Sequence, residues 1–152
     1  MVDRAGGFYT EEIRTQGTRQ GFRLVTLSGE DIVLSHINID SPYRVSKYHV
    51  DIEALERVGV PVLLNAAEQR ELVVVDEIGK MELLSTSFRQ TISRLIDSGK
   101  RILGTIMLNH HPWADAIKRR PQVNLITVTR ANYNQVLKEL RHWLNLKQVT
   151  EL

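Results

Sequence analysis

The sequence predicts an α/β protein in which a parallel sheet is flanked by helices, with an antiparallel β meander near the N-terminus. Three observations support this fold class. Three runs of strand-forming residues, separated by turns rich in Gly, Ser and Thr, come first. Short continuous apolar runs then alternate with segments of helical periodicity, as in parallel sheets connected by helices. The length of 152 residues suits one domain with its own core.

The meander is predicted within residues 1–40 of this single domain. Its strands are GFYTEEIR, GFRLVTL and DIVLSHI, and its turns are TQGTRQ and SGED. Each run is rich in Val, Ile, Phe, Tyr and Thr, which favour strands, whereas the turns contain Gly with polar residues. We therefore expect three antiparallel strands joined in chain order.

The parallel part is predicted within residues 41–152. Gly59 and Gly99 each end a predicted helix, while Pro61 and Pro112 each lie in the first turn of one. Ser85, Thr86 or Ser87 can cap the helix before Gly99. The predicted strands of this part are 72–76, 101–108 and 123–129, and the predicted helices are 50–59, 61–70, 88–98, 113–120 and one after Thr129.

Composition excludes several classes of function. The chain has no cysteine, which rules out disulfides, thiolate catalysis and Cys-bound zinc. The net charge of +2 argues against a nucleic-acid binder, although Lys118–Arg120 form a basic cluster that is more typical of a solvated helix end. No apolar run approaches the roughly 20 residues of a membrane span, and MVDRAGGFYTEE has no secretory signal. We expect a cytoplasmic protein without membrane partners.

The segment ELVVVDEIGKMEL, residues 71–83, contains the candidate metal-binding and catalytic residues. Asp76 and Glu77 follow a buried strand directly, and ligands of parallel sheets bind beyond the carboxyl ends of the strands. Adjacent carboxylates repel unless a cation or a proton lies between them, so we expect Mg²⁺ on Asp76, with Glu77 free to polarise an attacking water. Lys80 follows within reach of a phosphate. The alternative is an ordinary solvated strand end.

Five segments follow one another over nearly the whole chain: GFYTEEIR, GFRLVTLSG, VSKYHVDIEALE, VVVDEIGKMEL and DAIKRRPQVNLITVTRANYNQVL. In the order and spacing of these segments, the chain resembles the small THEP-type (cancer-related) nucleoside-triphosphatases. That family belongs to the P-loop NTPases, and its Walker B segment is similar to residues 72–80. The resemblance implies a P-loop NTPase-like sheet.

The same resemblance implies hydrolysis of nucleoside triphosphates (ATP, GTP and others) to the diphosphate and phosphate, with Mg²⁺. It implies Asp76 on the water shell of the metal and Glu77 as the base that orients water. Thr105 is a candidate sensor of the γ-phosphate, but the sequence favours a packed strand residue at this position. The expected nucleotide-binding residues are Val75, Asp76, Glu77, Ile78, Gly79, Lys80, Arg119 and Arg120, with Lys80 also counted as catalytic.

The chain departs from the family at the phosphate-binding loop. Members begin with a strand, a loop of the form G-x-x-x-x-G-K-[ST] and a helix, but here no Gly-Lys pair is followed by Ser or Thr. We therefore expect that Met1 is an internal or mis-assigned start, or a truncation point. We also expect two apolar strands without partners, self-association through unpaired sheet edges, and weak or absent turnover.

Two other functions stay open. A non-catalytic module for nucleotide or protein binding, derived from the NTPase fold, would bind no Mg-nucleotide or bind it without hydrolysis. A nucleic-acid binder would use Lys118–Arg120 and the meander, against the balanced charge and the 6% of aromatic residues.

Overall fold

The fold is a single seven-stranded mixed sheet with helices packed against it. A computed structural model describes residues 4–146 of the chain. The strand order is β4-β5-β3-β2-β1-β6-β7, so the predicted α/β class is confirmed. The strands are β1 (Ala5–Thr15), β2 (Thr18–Thr26), β3 (Asp31–His36), β4 (Arg44–Val45), β5 (Tyr48–Val50), β6 (Leu72–Ile78) and β7 (Ile102–Ile106).

Strand β1 joins the antiparallel and parallel halves of the sheet. It pairs antiparallel with β2 through a turn in which Gln16 and Gly17 both have positive φ, as a type I′ hairpin requires. Its first residues pair parallel with β6, with Tyr9 opposite Asp76. Gly7 has φ +124°, and a Cβ there would lie 2.0 Å from the carbonyl oxygen of Val74. Only glycine therefore allows this close pairing.

The antiparallel half continues beyond the predicted meander. The short hairpin β4–β5 follows it and pairs with β3, which places Arg44 and Val45 at the outer edge of the sheet. The meander is thus an integral part of the sheet that contains β6 and β7.

The helices cover the sheet between and after these strands. They are α1 (Ile52–Ala54), α2 (Val60–Gln69), α3 (Thr86–Asp97), α4 (Pro112–Lys118) and α5 (Tyr133–Asn145), with a π-helical segment at Leu55–Gly59 and a 3₁₀ turn at Glu82–Leu84. The buried aromatic rings of Phe8 on β1 and Phe88 on α3 lie 6.3 Å apart between centroids. Ser85, one of the three candidate cap residues, caps α3 by accepting the N–H of Phe88 at its hydroxyl oxygen.

The prediction that Gly59 ends a helix is wrong. Gly59 has helical φ and ψ of −65° and −48°, and the helical path runs on from Ile52 to Gln69 through the π-helical segment. A Cβ on Gly59 would lie 2.9 Å from Cδ1 of Leu55 and 3.2 Å from Cδ1 of Leu24. This glycine therefore serves close packing onto the sheet instead of a left-handed helix end.

The predicted strand at 123–129 is also wrong. This segment contains no strand, and it joins no ladder among residues 4–146. Leu125, Ile126 and Val128 are 50%, 37% and 54% exposed. A strand requires a neighbouring backbone for its N–H and C=O groups, and β7 is bonded only to β6. The apolar pattern was strand-like, but no described strand pairs with it.

No helix within residues 4–146 combines the length and the apolar character needed to cross a membrane.

Candidate active site

Two side chains meet at the carboxyl edge of the parallel strands. Asp76 lies near the end of β6, and Thr105 lies near the end of the neighbouring strand β7. The Thr105 hydroxyl donates a hydrogen bond of 2.7 Å to Oδ1 of Asp76. Thr105 is exposed, so it is not the packed strand residue that the sequence favoured. The hydrogen bond orients one carboxylate oxygen and leaves the other free for a ligand.

Glu77 stands beside this pair, and the peptide bond that joins it to Asp76 is cis. The pKa of the Glu77 carboxyl is raised, first because partial burial disfavours its charged form and second because Asp76 repels it. A carboxylate with a raised pKa accepts a proton more readily than an ordinary one.

Gly79 closes tightly against this side chain. A Cβ on Gly79 would lie 2.9 Å from Cγ of Glu77 and 3.0 Å from its Cδ and Oε1 atoms. The glycine therefore provides the space in which the Glu77 carboxyl sits.

Glu82 is a site residue to which sequence reasoning gave no role. It is only 4% exposed, and its Oε2 accepts the N–H of Gly79 at 3.2 Å. The pKa of Glu82 is raised to about 7, chiefly by burial and also by the charges of Glu77 and Asp76, while its hydrogen bonds to backbone groups act in the opposite direction. The only sequence signal was one more carboxylate five residues after Glu77 within ELVVVDEIGKMEL. The pattern did not show that this one is buried.

Lys80 is exposed and borders two adjoining cavities. The first has a volume of about 250 Å³ and is lined by Arg44, Val45, Ser46, Lys80, Leu83, Leu84 and His111. The second has a volume of about 140 Å³ and is lined by Thr10, Phe22, Leu34, Val45, Glu77, Lys80, Met81 and Glu82. Lys80 therefore lines both the cavity that contains Glu77 and the cavity that contains Arg44 and His111.

The other predicted nucleotide-binding residues of this segment are buried. Val75 and Ile78 are 0% and 7% exposed, so their side chains belong to the core. The carbonyl of Ile78 accepts the N–H of Met107, and the N–H of Gly79 is bonded to Glu82. These residues hold the strand end in place, and their side chains offer little to a ligand.

The structure does not bring Arg119 and Arg120 to the carboxylates. Arg119 is exposed at the C-terminal end of α4. Arg120 forms a 3.1 Å ion pair with Asp97 and donates a 3.3 Å hydrogen bond to the carbonyl of Ser93, both at the C-terminal end of α3. Helix α3 starts near the carboxyl end of β6 and runs back toward the start of β7. Its C-terminal end therefore lies at the amino ends of the parallel strands, away from Asp76 and Glu77.

The donor set suits a hard cation that keeps most of its water. No group of three or more His, Asp or Glu side chains within residues 4–146 could enclose a metal ion. Asp76, with the hydroxyl of Thr105 beside it, offers oxygen ligands on one side only. Mg²⁺ is commonly bound in this way, through one or two carboxylates, several waters and the phosphates of a substrate.

Comparisons with known proteins place the chain in a family. A family model described as NTPase matches residues 3–141. The chain belongs to this NTPase family. It is 42% identical over 140 residues to the nucleoside-triphosphatase THEP1 of a Thermotoga species, a match that spans 92% of this chain and 80% of that relative. It is 40% identical over 147 residues to the human cancer-related nucleoside-triphosphatase, spanning 88% and 77% of the two.

The same fold occurs in a solved relative of the NTPase family. The crystal structure of THEP1 from Aquifex aeolicus matches with a TM-score of 0.85 at 32% identity, over 94% of this chain and 85% of that one. The expected membership of the THEP-type nucleoside-triphosphatases and the expected P-loop NTPase-like fold are therefore both confirmed.

Proposed function

We propose that this chain hydrolyses nucleoside triphosphates, such as ATP and GTP, to the diphosphate and phosphate at the carboxyl edge of β6. The observation that supports this most directly is the pair formed by Asp76, held by Thr105, and Glu77, whose pKa is raised. The nucleoside-triphosphatases to which the chain is similar support the same class of substrate. Residues 72–80 would then act as the Walker B segment.

In the proposed step, Glu77 orients the attacking water and takes its proton. The water oxygen forms a bond to the γ-phosphorus as the bond from that phosphorus to the β–γ bridging oxygen breaks, and the diphosphate leaves with the electron pair. The raised pKa of Glu77 makes the proton transfer more favourable. Gly79 and Glu82 keep the base in position, because one leaves it space and the other fixes the backbone beside it.

Asp76 would hold Mg²⁺ through its water shell, and Thr105 would keep the carboxylate in the right orientation. When bound, the ion supplies positive charge against the β- and γ-phosphates. Lys80 would neutralise further phosphate charge as a point charge. Arg119 and Arg120 stay outside this proposal, because Arg120 is engaged by Asp97 and both lie at the far end of α4.

Phosphate release from ATP and GTP, measured with malachite green, tests this proposal. We expect slow turnover by the 152-residue chain, since it contains no Gly-Lys-[Ser/Thr] sequence to cradle the phosphates. That turnover should require Mg²⁺ and disappear in Glu77→Gln. The matched control is Glu68→Gln, which makes the same charge change at an exposed position on α2. Turnover that survives Glu77→Gln would refute the assignment of the base.

A second candidate function is a non-catalytic module that binds nucleotides or proteins. Phosphate affinity in P-loop proteins comes largely from the phosphate-binding loop, and these 152 residues contain no Gly-Lys-[Ser/Thr] sequence, so nucleotide binding and hydrolysis by this chain are measured separately. Calorimetry with Mg-ATP separates the two functions. Binding without any phosphate release would favour the module, whereas release that depends on Glu77 would favour the enzyme.

We also propose self-association through the open edge of the sheet. Among residues 4–146, strand β7 is bonded on one side only, and the apolar side chains of Leu125, Ile126 and Val128 in the later segment 123–129 are exposed. Unpaired edges and exposed apolar residues favour association. Sedimentation velocity at increasing protein concentration should show a growing dimer fraction. A monomer at all concentrations would contradict this proposal.

A further inference from the structure

The larger cavity beside Lys80 has a chemical character that the hydrolytic step does not use. We call it the basic cavity; it is lined by Arg44, Val45, Ser46, Lys80, Leu83, Leu84 and His111. None of these residues is acidic, and Arg, Lys, His and Ser all offer hydrogen-bond donors. Its volume of about 250 Å³ is below the roughly 300–1,000 Å³ of pockets that take drug-sized ligands. It therefore suits a small anion.

Arg44 lines this cavity, and most of its donors are not bonded to other groups among residues 4–146. It lies on β4, and the turn that follows holds Ser46 with φ +55°. The Nε of Arg44 donates to the carbonyl of Ser46 at 3.0 Å, which fixes the guanidinium. The four N–H groups on its terminal nitrogens remain, and among residues 4–146 no carboxylate forms an ion pair with either Arg44 or Lys80. Two positively charged residues thus line the cavity, and neither forms an ion pair within the described residues.

His111 adds a third donor. Its Nδ1 accepts the N–H groups of Trp113 and Ala114 at 3.2 and 3.5 Å, where it caps the start of α4. An imidazole nitrogen that accepts a hydrogen bond carries no proton, so the other nitrogen, Nε2, carries it. The histidine can therefore donate to an anion while it is neutral.

We propose that the basic cavity binds inorganic phosphate, held by Arg44, Lys80 and His111. Lys80 also borders the cavity that contains Glu77 and Glu82, so the two cavities adjoin at this side chain. The inference rests on the proposed function in one respect: the phosphate is the one released from the nucleotide, and the basic cavity receives it when it leaves the carboxylates. Arg44 is then a binding residue to which sequence reasoning assigned no role.

Calorimetric titration of the full chain with inorganic phosphate, at constant ionic strength set with chloride, tests the proposal. We expect wild-type protein to bind one phosphate and Arg44→Gln to bind it at least about tenfold more weakly, because a charge-assisted hydrogen bond is lost. The matched control is Arg57→Gln, which removes one positive charge at an exposed position outside both cavities. Arg44→Lys should recover part of the affinity, because it restores the charge without the fork of donors.

Three outcomes would overturn the proposal: no phosphate binding by wild-type protein, equal affinity of wild-type and Arg44→Gln, or equal losses in Arg44→Gln and Arg57→Gln. A parallel titration with AMP separates free phosphate from a phosphate ester. Tighter binding of AMP than of phosphate, lost in Arg44→Gln, would also overturn the assignment to released phosphate. Glu77→Gln keeps this test apart from the proposed function. It should bind phosphate at least as tightly as wild type, whatever its effect on hydrolysis.

Discussion

Gly79 offers a direct test of how the candidate base is positioned. In Gly79→Ala, the new methyl group would lie 2.9 Å from Cγ of Glu77 and 3.0 Å from its Oε1. Ordinary contact between carbon atoms is about 3.5–4.0 Å, so the side chain must move by roughly 0.6–1 Å. Glu77 as a residue is exposed, although its carboxyl is partly buried. The side chain can therefore change rotamer, which keeps the cost in folding stability small. A displacement of about 1 Å in a catalytic group can still lower a rate by about 100-fold.

Two measurements can detect the displacement of the Glu77 side chain. The first is the pKa of Glu77, obtained from the ¹³C shift of its side-chain carboxyl against pH. In wild-type protein partial burial raises this pKa, and we expect it to fall toward the ordinary value in Gly79→Ala, because the carboxyl is pushed toward water. The second is phosphate release, which should drop by about 100-fold while the urea midpoint of unfolding changes little.

Gly104→Ala is the matched control for this variant. It adds the same methyl group on β7, where the nearest atoms are the carbonyl oxygen of Val75 at 3.2 Å, Cβ of Val75 at 3.8 Å and Cδ1 of Ile78 at 4.0 Å. The adjustment it requires is therefore smaller than in Gly79→Ala and does not involve Glu77. We expect both the pKa of Glu77 and the rate to stay near wild type. If Gly79→Ala kept both the raised pKa and the full rate, Gly79 would have no part in positioning Glu77.

Three further predictions concern the surroundings of the site. Glu82 has a folded pKa of about 7, above its ordinary value of 4.5. Glu82 therefore keeps its proton to a higher pH in the folded protein than in the unfolded chain. The free energy of unfolding should fall by up to about 3 kcal/mol as the pH rises from 4.5 past 7. Urea unfolding across that pH range should show that Glu82→Gln removes this loss. Thr105→Val removes the hydrogen bond to Asp76, and we expect the Mg²⁺ concentration for half-maximal turnover to rise about 10- to 100-fold. Gly7→Ala places a Cβ 2.0 Å from the carbonyl oxygen of Val74, so we expect loss of more than about 3 kcal/mol or insoluble expression, measured by thermal unfolding.

Each of these predictions has a clear contrary result. A pH profile of stability that is the same in wild type and Glu82→Gln would show that Glu82 is not the group that titrates. An unchanged Mg²⁺ requirement in Thr105→Val would separate Thr105 from metal binding. Normal stability of Gly7→Ala would mean that β1 and β6 can pair at a wider spacing than the structure shows.

The sequence by itself determined the features that depend on neighbouring residues along the chain. The run LVVVD predicted a buried strand with carboxylates at its end, and β6 carries Asp76 and Glu77 there. The Ser-Thr-Ser run at 85–87 before a helical pattern predicted a cap, which Ser85 provides, and Gly99, with φ +73°, follows the last turn of that helix. These signals are local, because a strand end, a cap and a helix stop are each fixed by a few adjacent side chains.

Only the tertiary structure decided which residues from distant segments come together. Glu82 is buried beside Gly79, Arg120 is turned to Asp97, and Arg44 reaches the cavity that Lys80 borders. The segment 123–129 also shows that a local pattern does not decide pairing, since its strand-like sequence forms no strand among the described residues. A pattern of side chains indicates which secondary structure a segment favours. A strand or an ion pair forms only if a partner backbone or a partner charge lies at the right distance. That partner is chosen by the packing of the whole sheet, which no single stretch of sequence contains.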